Sequence, residues 1–170
     1  GRSMRVRVTE RDGQPIPGAK VHVSVWTKET FPANQDYLCD AQGEVTIRLP
    51  QTMDTLRLWG SAAGHVPLFA HWESDELQGD ASQIPKEFRF ELPPGTVVGG
   101  FVKNEDAQPI AGARVEVMVG LDLAEQENRV CISHWLATGD GALVTDAEGR
   151  WTLDTVPAGD DVEVLVRLNP

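Results

Sequence analysis

The stretch that decides the fold is Gln14-Pro15-Ile16-Pro17-Gly18-Ala19-Lys20-Val21-His22-Val23, because the chain contains a close copy of it. The copy is Gln108-Pro109-Ile110-Ala111-Gly112-Ala113-Arg114-Val115-Glu116-Val117, which lies 94 positions further on. A second motif, Cys39-Asp40-Ala41-Gln42-Gly43-Glu44-Val45-Thr46-Ile47, matches Thr145-Asp146-Ala147-Glu148-Gly149-Arg150-Trp151-Thr152-Leu153 at an offset of 106. Two motifs that recur in the same order indicate two homologous units, which we call the first and the second copy.

Both copies have the pattern of short strands joined by turns. Val21, Val23 and Val25 alternate with other residues, as expected for a strand with one buried face. Asp40-Ala41-Gln42-Gly43 is a turn sequence in which glycine readily adopts a positive φ. We therefore predict an all-β protein made of two tandem immunoglobulin-like, mostly antiparallel β-sandwiches. The predicted core residues are Val21, Val23, Val45, Ile47, Val115, Val117, Trp151 and Leu153.

The boundary between the copies is predicted at Pro93-Pro94-Gly95. This divides the chain into a first sandwich at 1–94 and a second at 95–170. The second copy has far fewer residues after its last motif than the first, so we expect it to be truncated at its C-terminal end and to belong to a longer protein. A junction this short also favours a semi-rigid pair over a flexible tether.

The two repeated motifs resemble those of the carboxypeptidase regulatory-like domain, a transthyretin-like member of the immunoglobulin-like sandwiches. The resemblance covers nearly the whole chain, twice. Cys39 stands where that family usually has Thr or Ser, so the first copy is expected to lack one side-chain hydrogen bond at this turn. The resemblance implies a non-catalytic accessory or adhesion-type module within a larger protein of the bacterial cell envelope, on the extracytoplasmic side.

The composition narrows the choice of partners. The 170 residues include 15 Lys and Arg against 26 Asp and Glu, a net charge of −11 that lacks the basic footprint of a nucleic-acid-binding protein. No apolar run is long enough to cross a bilayer, so we expect no insertion of this chain into a membrane. Cys39 and Cys131 are too few for a disulfide scaffold, and we expect them to pack as small apolar side chains.

Enzyme signatures are missing from the sequence, and we predict that the chain is not an enzyme, with no catalytic residue, resident metal or cofactor. Intradiol dioxygenases share a similar pattern but need two tyrosines for iron, and Tyr37 is the single tyrosine here. No HExxH, nucleophile elbow or phosphate-binding loop is present. Isopeptide-forming adhesin domains need a lysine in the first strand, where this chain has Arg5 and Arg7.

Several chemical alternatives stay open at this point. The strongest is a metal-dependent or hydrolytic activity in the insertion at 118–143, where Cys131 and His134 lie near a cluster of acidic residues. His65 and His71 would share one strand face and form a weak metal pair if their strand were regular. Two acidic clusters suggest loose calcium binding as an alternative to solvated loops; they comprise Glu73, Asp75, Glu76 and Asp80, and Asp122, Glu125 and Glu127.

Three tryptophans are the best candidates for ligand contacts. Trp26, Trp72 and Trp135 are expected at strand ends or in loops, where exposed rings stack on sugars or peptides. The segments that differ most between the copies are 27–38 and 118–143, which Trp26 and Trp135 border. We therefore expect a binding or spacer module that engages protein or carbohydrate through loops at the ends of the sandwiches. A stalk that only spaces other domains is the structural alternative.

Overall fold

The computed structural model describes residues 1–28, 30–120, 128–159 and 162–169. Strands account for 55% of the residues and helices for 6%, so the predicted all-β class with mostly antiparallel sheets is confirmed. The strands of the first copy are β1 (Arg2–Glu10), β2 (Lys20–Thr27), β3 (Thr30–Leu38), β4 (Glu44–Leu49), β5 (Thr55–Ser61), β6 (Leu68–Trp72) and β7 (Glu87–Leu92). Those of the second copy are β8 (Thr96–Phe101), β9 (Arg114–Val119), β10 (Val130–Ile132), β11 (Trp135–Ala137), β12 (Leu143–Val144), β13 (Arg150–Val156) and β14 (Val164–Asn169).

In the part of the chain that the structure describes, short helical turns occupy two connections. An α-helix, α1 (Ser74–Leu77), and a 3-10 turn (Ala81–Gln83) lie between β6 and β7, and a second 3-10 turn (Gly139–Gly141) precedes β12. No helix in the described ranges is both long and apolar enough to cross a membrane. The sequence also favours a short helix at Leu121–Asn128, but 121–127 lie outside the described residues.

The first copy is a sandwich of two sheets. One sheet has the order β4-β1-β7, and the other has the order β10-β6-β5-β2-β3. Strand pairs are antiparallel except for β1 and β7, which run parallel with Val8 opposite Phe90. The segment 27–38 was expected as a loop but is mostly strand β3. Its sequence has no alternation of apolar and polar residues, and pairing with β2 is what orders it. Pro32 is tolerated there because β3 is an edge strand.

The second copy repeats the arrangement of β1, β2, β4 and β5. Strand β8 pairs with β13 as β1 pairs with β4, and β9 pairs with β14 as β2 pairs with β5. The turns that join the strands also agree in detail. Gly43 and Gly149 have φ of +70° and +73°, and a Cβ at either glycine would lie 2.5 Å from the carbonyl oxygen of Val8 or Val102. Both turns therefore require glycine.

Each copy has a hydrophobic core of its own. The cluster of the first copy draws on both sheets and contains Met4, Val6, Val8, Ile16, Ala19, Val21, Val23, Val25, Cys39, Ile47, Leu49, Met53, Leu56, Leu58, Leu68, Ala70, Trp72, Leu77, Ala81, Ile84, Phe90 and Leu92. The cluster of the second copy is smaller and contains Val102, Val115, Val117, Ala137, Leu153 and Val156.

Six of the eight predicted core residues are buried, while Val45 and Trp151 are only partly buried. These two occupy equivalent positions, on strands that are covered by a neighbouring strand on one side only. Cys39 is buried in the first core, as expected.

The two copies are joined by more than the chain junction. At the junction, the Val66 amide donates to the Pro93 carbonyl at 2.8 Å and the Gly95 amide donates to the Gly64 carbonyl at 2.8 Å. In addition, β10 of the second copy pairs antiparallel with β6 of the first, with Cys131 opposite Phe69. The insertion of the second copy thus extends the five-stranded sheet of the first, which places residues of both copies around one surface.

Candidate functional site

A row of rings crosses the outward face of the five-stranded sheet. Because side chains alternate between the two faces of a strand, burial of Leu56 and Leu58 turns Trp59 of β5 outward. The register then aligns His22 of β2, Trp59 of β5 and Phe69 of β6. The residue opposite Phe69 on β10 is Cys131. Four neighbouring strands therefore contribute one outward side chain each at the same level.

The rings in this row are in contact with one another. The ring centroid of Trp59 lies 4.9 Å from that of Phe69 and 5.3 Å from that of His22. Phe69 and His71 have centroids 5.3 Å apart and an interplanar angle of 8°, which is a stacked pair. His22 is further held by a 2.5 Å contact between its Nδ1 and Oδ1 of Asp36, and this hydrogen bond lowers the pKa of Asp36. The result is a continuous aromatic floor.

Polar groups line one end of this floor. Arg57 lies directly opposite His71 in the β5–β6 register, and its Nη2 is 3.5 Å from Oε1 of Glu73. The guanidinium carbon of Arg57 is also 5.9 Å from the ring centroid of Trp26, within cation–π distance. Arginine and glutamate thus neutralise each other beside the rings.

Among the described residues, two buried nitrogens at this end make no hydrogen bond. His71 Nε2 lies 3.1 Å from the carbonyl oxygen of Asn128 and donates to it. Its Nδ1 is buried and makes no hydrogen bond there, although Oε1 of Glu73 is 3.3 Å away. Nε of Arg57 is buried and unpartnered as well. One imidazole nitrogen and one guanidinium nitrogen are therefore buried next to the aromatic floor without a hydrogen bond.

The second copy supplies the opposite wall. Its residues Cys131, Ile132, His134 and Trp135 line a cleft of about 380 Å³ together with Arg57, Trp59, Phe69, His71 and Glu73. His134 Nδ1 donates to the carbonyl of Val119 at 2.5 Å, and its ring meets that of Trp135 edge to face at 4.5 Å. Trp135 stays 51% exposed. Its position on β11 leaves an exposed indole at the wall of the cleft.

An arginine of the second copy holds this wall in place. Arg129 donates to both carboxylate oxygens of Glu76, with Nη1 2.9 Å from Oε2, and also to the carbonyl of His71. Its guanidinium carbon lies 4.9 Å from the ring centroid of Trp72. These contacts sit beside the β10–β6 pairing and reinforce it.

The three tryptophans expected to contact ligand have different environments. Trp135 lines the cleft. Trp26 is 41% exposed and lies next to the cleft, since its ring is within cation–π distance of Arg57, which lines the cleft. Trp72 is 2% exposed and packs edge to face on Phe88, so the expectation of an exposed ring at this position is wrong. The reason is that Trp72 belongs to β6 and points to the core side, together with Leu68 and Ala70.

The metal-dependent alternatives find no metal-binding cluster in the part of the chain that the structure describes. Within the described ranges, no group of three or more His, Cys, Asp or Glu side chains is arranged to hold a metal ion. His65 contacts Glu10 at 2.9 Å, whereas His71 contacts Asn128, so the two histidines do not act as a pair. Asp122, Glu125 and Glu127 lie outside the described residues.

The residues of the other acidic cluster have local partners. Glu73 and Glu76 contact Arg57 and Arg129, and the carboxylate of Asp80 accepts from the amide and hydroxyl of Ser82. The hydroxyl contact comes first among the causes that lower the pKa of Asp80. Asp75 accepts a hydrogen bond from the amide of Glu76 at 3.0 Å. These contacts are typical of a folded connection.

Sequence reasoning missed the floor of the cleft. Arg57, Trp59 and Phe69 were not recognised as ligand candidates, and Glu73 was considered only as part of an acidic cluster, although alternation alone places Trp59 and Phe69 on outward faces. The missing information was which strands are neighbours. Only the pairing of β5, β6 and β10 brings these side chains together with Trp135 of the other copy.

Comparisons with known proteins add little to this picture. No protein-family model matches the chain, and no curated protein matches it. Among solved structures, a streptococcal ancillary pilin aligns with 11% identity and a TM-score of 0.39 over 93% of this chain, which spans about half (51%) of that protein.

Two further pilin structures align in the same way. The shaft pilin SpaA of Lactobacillus rhamnosus GG gives 9% identity and a TM-score of 0.37, covering 99% of this chain and 87% of that one. The pilus backbone protein RrgB of Streptococcus pneumoniae gives 12% identity and a TM-score of 0.30, and the alignment covers 98% of this chain and 53% of that one. With TM-scores below 0.5, these alignments support no conclusion about function.

Proposed function

We propose that this chain is a non-catalytic binding module and that it holds a neutral sugar residue of a glycan in the cleft between its two copies. The observation that carries the proposal is the aromatic floor formed by Trp59, Phe69 and His71, with the exposed Trp135 indole at the opposite wall. A pyranose ring has a face of C–H groups and a rim of hydroxyls. Such a ligand needs flat apolar contacts on one side and hydrogen-bonding groups at the edge.

The polar end of the cleft supplies the hydrogen-bonding groups that the rim of a sugar ring needs. Arg57, His71 and Glu73 line this end, and their guanidinium, imidazole and carboxylate groups are types that form hydrogen bonds with sugar hydroxyls.

Charge favours a neutral ligand over an acidic one. Arg57 and Glu73 compensate each other within the cleft, and the whole chain carries a net charge of −11. A polyanionic glycan would approach against that charge. The volume of about 380 Å³ falls within the range of small-ligand sites and suits one or two sugar rings.

The setting of the protein is part of the proposal. The resemblance of the repeated motifs to carboxypeptidase regulatory-like domains supports a place in a larger cell-envelope protein, outside the cytoplasm. We keep the division into two tandem sandwiches at 1–94 and 95–170 as a proposal, supported by the two separate hydrophobic clusters. In this arrangement the cleft forms only when both copies are present.

The test is a titration of the native chain with a panel of neutral oligosaccharides, followed by two-dimensional NMR of backbone and indole N–H groups. We expect shifts at Trp59 and Trp135, and at least a tenfold weaker affinity for Trp135→Ala. Phe101→Ala is the matched control, because Phe101 is also an exposed aromatic residue (65%) but lies outside the cleft. Glu73→Gln then tests the polar end, where loss of charge leaves Arg57 uncompensated.

The spacer alternative makes the opposite prediction. If no neutral glycan shifts the cleft signals at millimolar concentration, or if Trp135→Ala and Phe101→Ala bind equally well, the cleft is not a sugar site. A chain that binds nothing in these assays acts as a spacer.

A further inference from the structure

The aromatic floor continues beyond the cleft, across the strands of the first copy. Four neighbouring strands place one outward side chain each on a single line, in the order Cys131 of β10, Phe69 of β6, Trp59 of β5 and His22 of β2. Trp59 lines the cleft, and His22 lies one strand beyond it, with its ring centroid 5.3 Å from that of Trp59. The line of side chains therefore leaves the cleft on its β2 side.

The far end of this line has a polar rim of its own. Asp36 of β3 lies opposite His22, and Oδ1 of Asp36 is 2.5 Å from Nδ1 of that histidine. Oδ2 of Asp36 is 3.9 Å from Nζ of Lys20, and the two side chains are 56% and 50% exposed. Exposed carboxylate and ammonium groups form hydrogen bonds with hydroxyls. The β2 end thus offers the same kind of polar contacts as Arg57 and Glu73 offer in the cleft.

The charges beside the line are balanced in pairs. Lys20 lies next to Asp36 at the β2 end, and Arg57 lies 3.5 Å from Glu73 in the cleft. An uncharged chain meets no net charge at either pair, whereas a charged chain would meet a like charge in each of them. The pairing therefore favours a ligand that is neutral along its whole length.

The spacing of the line fits a linear glycan. Neighbouring strands lie about 4.8 Å apart, which is close to the length of one sugar residue in an extended β-1,4-linked chain. Four strands therefore offer one position for each of four consecutive residues. Trp135 at the β10 side is 51% exposed, and the His22 side chain at the β2 side is 36% exposed. Both ends of the line are thus accessible to solvent, and a chain can continue past either of them.

We propose, resting on the sugar-binding function proposed above, that the ligand is an internal run of about four residues of a neutral β-1,4-linked glycan. The run lies across the strands from Cys131 to His22, with one sugar residue over each strand. Two of its residues occupy the cleft, where Trp135 adds a second contact, and the others extend over Trp59 and His22. Each position adds contact between a ring face of the protein and C–H groups of the sugar. Affinity therefore depends on the length of the chain until the line is filled.

The test measures the affinity of the whole chain for β-1,4-linked oligomers of glucose and of N-acetylglucosamine, from the monosaccharide to the hexasaccharide, by isothermal titration calorimetry. In one of the two series we expect affinity to rise at least tenfold from the disaccharide to the tetrasaccharide. It should then change less than twofold up to the hexasaccharide. In NMR spectra the backbone amides of His22 and Asp36 should shift with the tetrasaccharide and stay in place with the disaccharide.

A variant at the β2 end separates the extension from the cleft. His22→Ala should weaken tetrasaccharide binding at least fivefold and leave disaccharide binding within twofold of the native value. Thr46→Ala is the control: Thr46 is exposed on β4 of the other sheet, so the affinity for both oligomers should stay the same. Thermal unfolding of the free variants, together with the retained disaccharide affinity, verifies that they are folded.

The outcomes distinguish this proposal from the function on which it rests. If the disaccharide binds as tightly as the tetrasaccharide, or if His22→Ala weakens both equally, the site ends with the cleft and the extended line is refuted. Affinity that keeps rising beyond the tetrasaccharide contradicts the four-strand length. If other neutral glycans bind but neither β-1,4-linked series does, the glycan class is wrong and the sugar-binding function stands. If no neutral glycan binds, both proposals fail.

Discussion

Gly100 and Trp151 face each other across β8 and β13, and the tryptophan indole fills the space that a side chain at Gly100 would take. A Cβ built on Gly100 would lie 3.0 Å from Nε1 of Trp151 and 3.3 Å from two ring carbons. In the first copy the same register pair is Val6 and Val45. The second copy thus fills this position with one small and one large residue, whereas the first copy uses two medium-sized residues.

This pair should show strong thermodynamic coupling. Gly100→Val should destabilise the fold by about 1–3 kcal/mol through overpacking, and Trp151→Val by about 2–4 kcal/mol through the cavity it leaves. The double variant recreates the pair of the first copy, so its cost should be at least about 1 kcal/mol below the sum of the two. Urea unfolding of the four proteins measures this, and strict additivity would contradict the packing argument.

Thr145 should contribute more to stability than its counterpart Cys39. The Thr145 hydroxyl accepts from the Ala113 amide at 2.9 Å and donates to the Ile110 carbonyl at 2.7 Å. In the first copy the Ala19 amide instead reaches the Ile16 carbonyl at 3.4 Å. Thr145→Val should therefore cost about 1–3 kcal/mol, because it leaves the Ala113 amide unpaired.

The reciprocal change tests the same hydrogen bonds. Cys39→Thr places the hydroxyl of the second copy in the first and should raise the free energy of unfolding by about 1 kcal/mol. Chemical denaturation of both variants is the measurement. If Thr145→Val and Cys39→Thr change the free energy of unfolding by equally small amounts, these hydrogen bonds do not cause a difference in stability between the two turns.

Cys39 should make stability fall in alkaline solution. Burial, assisted by the neighbouring Asp40 charge, raises the pKa of the Cys39 thiol to about 11. The unfolded chain releases this proton near the usual thiol pKa of about 8.5, so the unfolded state binds fewer protons between the two values and stability decreases as pH rises.

The comparison of native chain with Cys39→Thr isolates this effect. The difference in unfolding free energy between the two proteins should change between about pH 8.5 and pH 11 and stay constant below that range. A difference independent of pH across this range would contradict a raised thiol pKa in the folded chain.

Glu116 should show the opposite dependence, in acid. Glu116 of β9 is buried, with Oε2 2.9 Å from Nε of Arg167, and this hydrogen bond is the main cause that lowers the pKa of Glu116. A lowered pKa in the folded state stabilises the protein above the usual glutamate value, and this contribution disappears as pH falls through the folded value.

Glu116→Gln should therefore destabilise the protein at pH 7, and the difference from the native chain should shrink towards pH 3. Urea unfolding at a series of pH values provides the measurement. Glu91→Gln, at an exposed carboxylate 3.8 Å from Arg89, is the control and should alter stability little at either pH. A Glu116→Gln difference that is as large at pH 3 as at pH 7 would refute the assignment.

Arg129 should control how firmly the second copy holds β10 against β6. Arg129→Ala removes the contacts to Glu76, to the His71 carbonyl and to the Trp72 ring together. We expect faster amide exchange at Val130–Ile132 by tenfold or more, and unchanged exchange in β1 and β2. Arg89→Ala serves as the control, since Arg89 lies on β7, away from this contact. Unchanged exchange in β10 would mean that strand pairing alone holds the copies together.

Local signals in the sequence determined most of the architecture. The repeated Asp-Ala-x-Gly turns require a glycine with positive φ, and the alternating valines mark which face of each strand is buried. These features depend on the backbone and on a residue's nearest neighbours along the chain, so they can be read without knowing the fold.

Only the tertiary structure decided which strands are neighbours. A period of two indicates a strand's buried face but carries no information about its partners, because pairing energy comes from residues far apart in sequence. Three results depend on that pairing: β3 forms where a loop was expected, Trp72 is buried, and β10 joins the sheet of the other copy. The aromatic cleft arises from the last of these, since its two walls belong to different copies of one repeated sequence.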